Sequence, residues 1–276
     1  DPLMLREQIN ALTSVRFFAA LLVLHFHFGA GFLVRIGAPE PVVNLFRNGY
    51  LGVSLFFVLS GYILSHAHRQ GRLTLRDLGS YGLARFARIY PVYALALLLA
   101  LPILKEPISA IDGSSVLLMI QAWAPPESAR GFTWIMQAWT LSVEAFFYLL
   151  FPLLLVVVRQ LAPQANLVLS VSCALAIVML GLPNVSPGVV TIPFVGSNTA
   201  VWLPVFRLPE FVLGMALYRL GIDYPRIPSV LGRSVPQLLI VASALAFLTL
   251  AATVHEKAVV TILVGLLILS LTSREG

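Results

Sequence analysis

Three ionisable side chains interrupt the first apolar run of the chain, LTSVRFFAALLVLHFHFGAG, which contains Arg16, His25 and His27. A charged group at membrane depth costs at least about 2.5 kcal/mol on insertion scales, so residues of this kind mark chemistry or a deliberate pairing. On a helix, Arg16 and His27 are separated by three turns plus roughly 20° and by about 16 Å along the axis. They share a face. His25 points about 180° away from Arg16, so a histidine that works with Arg16 along one internal groove is His27. The bland alternative is that Arg16 reaches cytoplasmic headgroups while both histidines lie near the outer interface. A second run, WTLSVEAFFYLLFP, carries Glu144 five residues after Trp139. A carboxylate at that depth calls for a partner or a proton. His27 reaches a similar outer-half depth from the opposite chain direction, and a carboxylate-oriented imidazole is equipment for general-base catalysis. A structural pair that locks two helices is the alternative.

Arg85 and Arg88 in RFARIYP stand three residues apart, on one side of a helical turn. Two guanidiniums at this spacing can hold a phosphate through several charge-assisted bonds. From spacing alone, anchoring to lipid phosphates on the cytoplasmic side is the stronger reading. Arg207 and Glu210 in FRLPEFVLG lie at i and i+3, where mutual neutralisation is favoured over a substrate role. Pro209 between them suggests a local kink. Ser60-Gly61 permits close helix approach, and Ser60 is not read as a nucleophile. The chain shows no Walker-type phosphate loop, no HExxH and no GxSxG elbow. Its histidines and single cysteine do not form a zinc pattern, so no metal is expected.

These residues sit in a chain that is 59% hydrophobic and 11% charged over 276 residues. Soluble domains carry about 25% charged residues, and the apolar residues here form blocks long enough to cross a bilayer. The expected fold class is therefore an all-α integral membrane protein. Eight spans are predicted, at about 11–31, 50–67, 89–104, 139–158, 166–182, 199–218, 235–254 and 258–272. Val116 to Trp123 is too short to cross and is read as interfacial or re-entrant.

With the N-terminus in the cytoplasm, Arg69, Arg72, Arg76, Arg85, Arg88, Arg159, Arg219, Arg226, Arg233 and Arg274 fall inside. Arg35, Arg47, Lys105, Arg130 and Lys257 fall outside. That bias follows the positive-inside rule. It also accounts for the net charge of +6 without a nucleic-acid partner. Cys173 has no second cysteine to pair with, and no cleavable signal peptide is evident. The chain starts without a methionine and ends directly after an apolar run, as an excised piece of a longer protein would.

Five blocks in order carry a resemblance. They are SVRFFAALLVLHFHF at 14–28, NGYLGVSLFFVLSGYIL at 48–64, RFARIYP at 85–91, WTLSVEAFFYLLFP at 139–152 and FRLPEFVLGMALYRL at 206–220. Together they resemble the membrane-bound acyltransferase-3 family, which includes O-antigen and exopolysaccharide acetylases and modifiers of nodulation factors and macrolides. The resemblance runs over nearly the whole chain. It implies one acyltransferase domain over 1–276, a multi-pass location in the plasma (bacterial inner) membrane, and acyl-CoA, with acetyl-CoA the commonest case, as donor. The acceptor it implies is a hydroxyl of a carbohydrate or cell-surface glycan.

By the same resemblance, Arg16 and His27 match the family's arginine–histidine pair, with the histidine as base. Arg85 and Arg88 match its paired arginines, assigned to the donor coenzyme. Glu144 matches the acidic position of the tryptophan-containing block, where Ala145 replaces the second acidic residue common in relatives. Members carry about ten membrane-length helices, so by the resemblance either C-terminal helices are lacking here or the site is completed differently. Direct attack on the thioester and a covalent acyl-enzyme both fit. The rival readings are a proton-coupled transporter or flippase, with Arg16, His27 and Glu144 as a relay, and a non-catalytic membrane scaffold.

Overall fold

Backbone groups in lipid must bond within the chain, which leaves a long apolar sequence little choice but helix. A computed structural model describes residues 2–69, 75–103, 109–123, 135–180, 203–250 and 254–272. Among these residues there is no strand. The helices are α1 (Pro2–Phe28), α2 (Ala30–Arg35), α3 (Glu40–Arg47), α4 (Gly52–Ala67), α5 (Leu75–Ala100), α6 (Ala110–Leu117), α7 (Trp139–Gln160), α8 (Pro163–Leu180), α9 (Leu203–Asp223), α10 (Arg226–Leu231), α11 (Ser234–Thr249) and α12 (Val254–Leu271).

Four stretches among the described residues are long and apolar enough to cross a membrane: Ala11–Phe28, Glu40–Ala67, Asp77–Ala100 and Trp139–Gln160. Pro163–Met179, Ser234–Thr249 and Ala258–Leu271 are apolar but shorter. Their outer surfaces are apolar too. Leu149, Val92, Leu83 and Leu98 are 79%, 71%, 69% and 63% exposed, a pattern that suits lipid contact and would be an aggregation hazard in water.

One boundary differs from the sequence expectation. The third span was expected to start at 89, yet α5 begins at Leu75, so Arg85 and Arg88 lie well inside a continuous helix. Apolar content falls off before Arg88, but helix formation does not depend on it. Arginine stems can lie along an apolar surface while the helix runs on toward water. In the segment around Val116, α6 has only eight residues, about 12 Å of helix against a core of roughly 30 Å. It ends in a Schellman motif: Met119 N–H donates to Val116 and Ile120 N–H to Ser115, at 3.0 and 2.9 Å. Met119 takes the left-handed position at φ 57° that glycine usually fills.

The chain divides into two compact units. One comprises Asp1–Arg69, Val158–Leu182 and Pro209–Gly276, and the other Gln70–Val157 and Pro183–Leu208. In the first unit, a core of Leu55, Val58, Leu59, Leu213, Leu217, Ile268 and Leu269 joins α4, α9 and α12, and the lone cysteine, Cys173, is buried within it. Glycine allows the close contacts. A Cβ on Gly61 of α4 would overlap the Phe211 carbonyl of α9, and one on Gly214 of α9 would overlap the Val58 carbonyl of α4. The other end of α4 meets α1 in the same way, where a Cβ on Gly52 would lie 2.7 Å from the Ala19 carbonyl. The close approach expected at Ser60-Gly61 is therefore present, and its partner is α9.

Ends of helices in this unit are closed by side chains. Asn48 Nδ2 donates to the Leu248 carbonyl at 2.8 Å and Asn44 Nδ2 to Thr249 at 3.3 Å, which satisfies the C-terminus of α11. Arg219 donates to the Arg159 carbonyl in the last turn of α7 at 3.1 Å.

Gly61→Val and Gly214→Val should each force α4 and α9 apart, costing about 1–3 kcal/mol or more through overpacking. The measurement is the thermal unfolding midpoint in detergent. Gly31→Ala, where no atom lies within 4 Å of the added carbon, is the control and should leave the midpoint in place.

Candidate active site

Helix α1 fixes the geometry of Arg16 and His27, since both lie within its unbroken run. Both side chains are half-buried. The two histidines differ in their attachments. The His25 ring nitrogen Nδ1 lies 2.7 Å from the Leu21 carbonyl, one turn back, and the ring packs on Phe46 of α3 with centroids 4.8 Å apart. His25 is thus tied to its own helix. The His27 ring meets the rings of Phe26 and Phe28, at 4.9 and 6.4 Å, and among the described residues its nitrogens make no hydrogen bond. One imidazole is committed to the fold and the other keeps its nitrogens available. A proton acceptor needs the second arrangement.

In the second unit, α5 and α7 pack through aromatic side chains. Pro152 lies inside α7. It has no N–H to give to the carbonyl of Tyr148, four residues earlier. The Tyr81 hydroxyl of α5 donates to that carbonyl at 3.1 Å, and the Tyr81 ring stacks on Phe151 at 5.6 Å. Arg85, one turn after Tyr81, holds its guanidinium carbon 5.7 Å from the Tyr81 ring centre and 5.9 Å from that of Tyr148. Both distances are within cation–π range. Its Nε is buried without a hydrogen-bond partner. Among the described residues neither Arg85 nor Arg88 meets a carboxylate, whereas Arg219 binds Asp223 at 2.9 Å. Arg88 is exposed.

Glu144 is half-buried on α7. The turn before it is held by the segment after α6. Gln121 Nε2 donates to the Ala138 carbonyl at 2.9 Å, and the Ala122 N–H donates to Ser142 Oγ at 3.3 Å. Trp123 meets Phe146 edge-on at 4.9 Å. The Tyr93 hydroxyl of α5 donates to Val116 at 2.7 Å, so α5, α6 and α7 are joined around Gln121. Arg207 and Glu210 of α9 are also deeply buried, 4% and 2% exposed.

Within the first unit, then, the structure places Arg16 and His27 on one helix. Within the second it places Arg85, Arg88 and Glu144 on two helices that touch. His27 belongs to the first unit and Glu144 to the second. Sequence reasoning did not find the roles of Tyr81 and Gln121. A signal for the first was present: Tyr81 precedes Arg85 by four residues, and Pro152 follows Tyr148 by four. Gln121 gave no such signal. Among the described residues, no three of His, Cys, Asp and Glu could hold a metal ion.

Comparison with known proteins agrees with these blocks. A family model described as an acyltransferase domain, Acyl_transf_3, matches residues 9–274. Acyltransferase MdmB of Streptomyces mycarofaciens is 31% identical over 228 residues, covering 76% of this chain and 57% of that protein. Protein 2 in the picA locus of Rhizobium radiobacter is 38% identical over 97 residues, covering 34% of this chain and 44% of that protein. The chain spans about half the length of these curated relatives. No solved structure gives a significant match. The chain belongs to the Acyl_transf_3 acyltransferase family.

Gln121→Leu removes the donor to the buried Ala138 carbonyl and should cost about 1–3 kcal/mol, the penalty of an orphaned buried acceptor. Thermal unfolding in detergent checks the loss. Protease sensitivity of the segment between α6 and α7 should rise with it.

Proposed function

From membership of this family, we propose that the chain is an acyltransferase domain (EC 2.3.1.-) moving an acyl group from acyl-CoA to a hydroxyl of a carbohydrate or cell-surface glycan. The acyl group is acetyl by the family resemblance. The domain spans the plasma (bacterial inner) membrane eight times with its N-terminus in the cytoplasm, as the loop arginines favour.

The observation that carries the reading is the contrast between the two histidines of α1. Only His27 shares a helix face with Arg16 and keeps its ring nitrogens without a hydrogen bond among the described residues. Arg85 and Arg88 support the donor end. Two cations that meet no carboxylate among the described residues suit the phosphates of coenzyme A, each guanidinium offering several N–H donors.

From the level of Arg16 to that of His27 is about 16 Å of helix, a distance an extended pantetheine arm covers. His27 takes the proton of the acceptor hydroxyl, the role its open ring nitrogens support. The hydroxyl oxygen bonds to the thioester carbonyl carbon, the carbon–sulfur bond breaks, and the coenzyme leaves as its thiolate to regain a proton.

Acetyl-CoA turnover by the protein in liposomes tests this, with His27→Ala beside His25→Ala. Loss of a general base lowers the rate about 10²–10⁴-fold. His27→Ala should show that loss while His25→Ala retains most activity, with both variants folded like the wild type. Absence of CoA release from the wild type would overturn the acyl-CoA reading and turn attention to proton-coupled flux.

A further inference from the structure

Arg85 is held in a way that plain membrane anchoring does not require. Arginines that anchor to headgroups keep their guanidinium in water, yet this one lies between two aromatic rings, half-buried, with Nε out of solvent. The first ring belongs to its own helix one turn back, and the second to α7. Ring quadrupoles offset the charge without using any N–H. Among the described residues the four N–H groups of the two terminal nitrogens therefore stay available, on a side chain the two rings hold before a ligand arrives. Arg88, one turn on and exposed, has no such restraint.

The cage depends on Pro152. An ordinary residue there would donate its N–H to the Tyr148 carbonyl within α7. Proline cannot. The carbonyl takes the Tyr81 hydroxyl instead, which ties α5 to α7 at the level of Arg85. We propose that Tyr81 is the positioning residue of the donor-phosphate site, caging Arg85 together with Tyr148 through the hydrogen bond that Pro152 makes possible. This rests on the reading of Arg85 as a contact to the phosphates of the acyl donor. Its consequence is that donor affinity is set by preorganisation of one arginine, while the chemical step at His27 is untouched.

Steady-state kinetics of acetyl-CoA turnover in liposomes, with Arg85→Ala, Tyr81→Leu, Tyr81→Phe and Pro152→Ala beside the wild type, test it. Tyr81→Leu should raise the donor KM about tenfold, the size of a desolvated cation–π contact, with kcat within about twofold. Tyr81→Phe keeps the ring and loses the anchor, so its KM should fall between wild type and Tyr81→Leu. Pro152→Ala is the decisive variant. It lets α7 make its own bond to the Tyr148 carbonyl in competition with the Tyr81 hydroxyl, so the thermal midpoint should hold or rise while the donor KM rises. A purely structural role cannot move the two in opposite senses.

If Arg85→Ala raises the donor KM and neither Tyr81→Leu nor Pro152→Ala does, the cage is overturned and the donor site stands. If Arg85→Ala also leaves the donor KM unchanged, the donor reading of Arg85 falls and this inference falls with it.

Discussion

Every carbonyl that a helix cannot satisfy must find a donor elsewhere, because lipid and packed helix surfaces offer no water. Much of the described structure answers that constraint. Asn44 and Asn48 close the end of α11, and Arg219 closes the end of α7. Tyr90 and Tyr93 of α5 donate to the last carbonyls of α6, at 3.2 and 2.7 Å. Gln121 reaches Ala138 just before α7. Tyr81 answers the carbonyl that Pro152 leaves open in mid-helix. These donors are side chains on other elements, so each also fixes where one helix lies against another. Satisfaction of the backbone and positioning of the candidate site are achieved by the same bonds.

Apolar packing supplies the rest, and in a membrane it acts through shape more than through the exclusion of water. Leucine and valine cover the outside and the inside of this chain alike, so hydrophobicity cannot tell α4 which neighbour to choose. Gly61 and Gly214 can, because each admits the backbone of the other helix where any side chain would collide. Gly52 does the same for α1, the helix that carries Arg16 and His27. The position of the histidine helix is thus set by a backbone contact at Ala19, one turn from Arg16.

The sequence made the class, the helical content and the family legible, since apolar blocks and five ordered motifs need no tertiary information. It also separated His27 from His25, as helical periodicity alone assigns them opposite faces. It did not show where α5 begins. The expectation took the arginines as the end of a span, whereas the helix continues ten residues before Arg85. Nor did it show what holds Arg85. The Tyr81 contact exists because of the register between α5 and α7, and that register depends on Pro152 and Tyr148 in a block distant in sequence. Gln121 was invisible for a similar reason: an isolated amide in a short apolar stretch says nothing until its partner carbonyl is known.

Charge compensation separates the arginines that build the protein from those that serve it. A half-buried cation needs an opposite charge, an aromatic face or a ligand. Arg219 has Asp223 at 2.9 Å and the end of α7 as well, so its charge and its donors are both occupied by the fold. Arg85 has two aromatic rings, which stabilise the charge and leave the donors unused. Burying a cation without giving its N–H groups a partner costs stability. Among the described residues Arg85 meets no carboxylate, so its charge is answered by the two rings while its N–H groups stay open to the acyl donor proposed above.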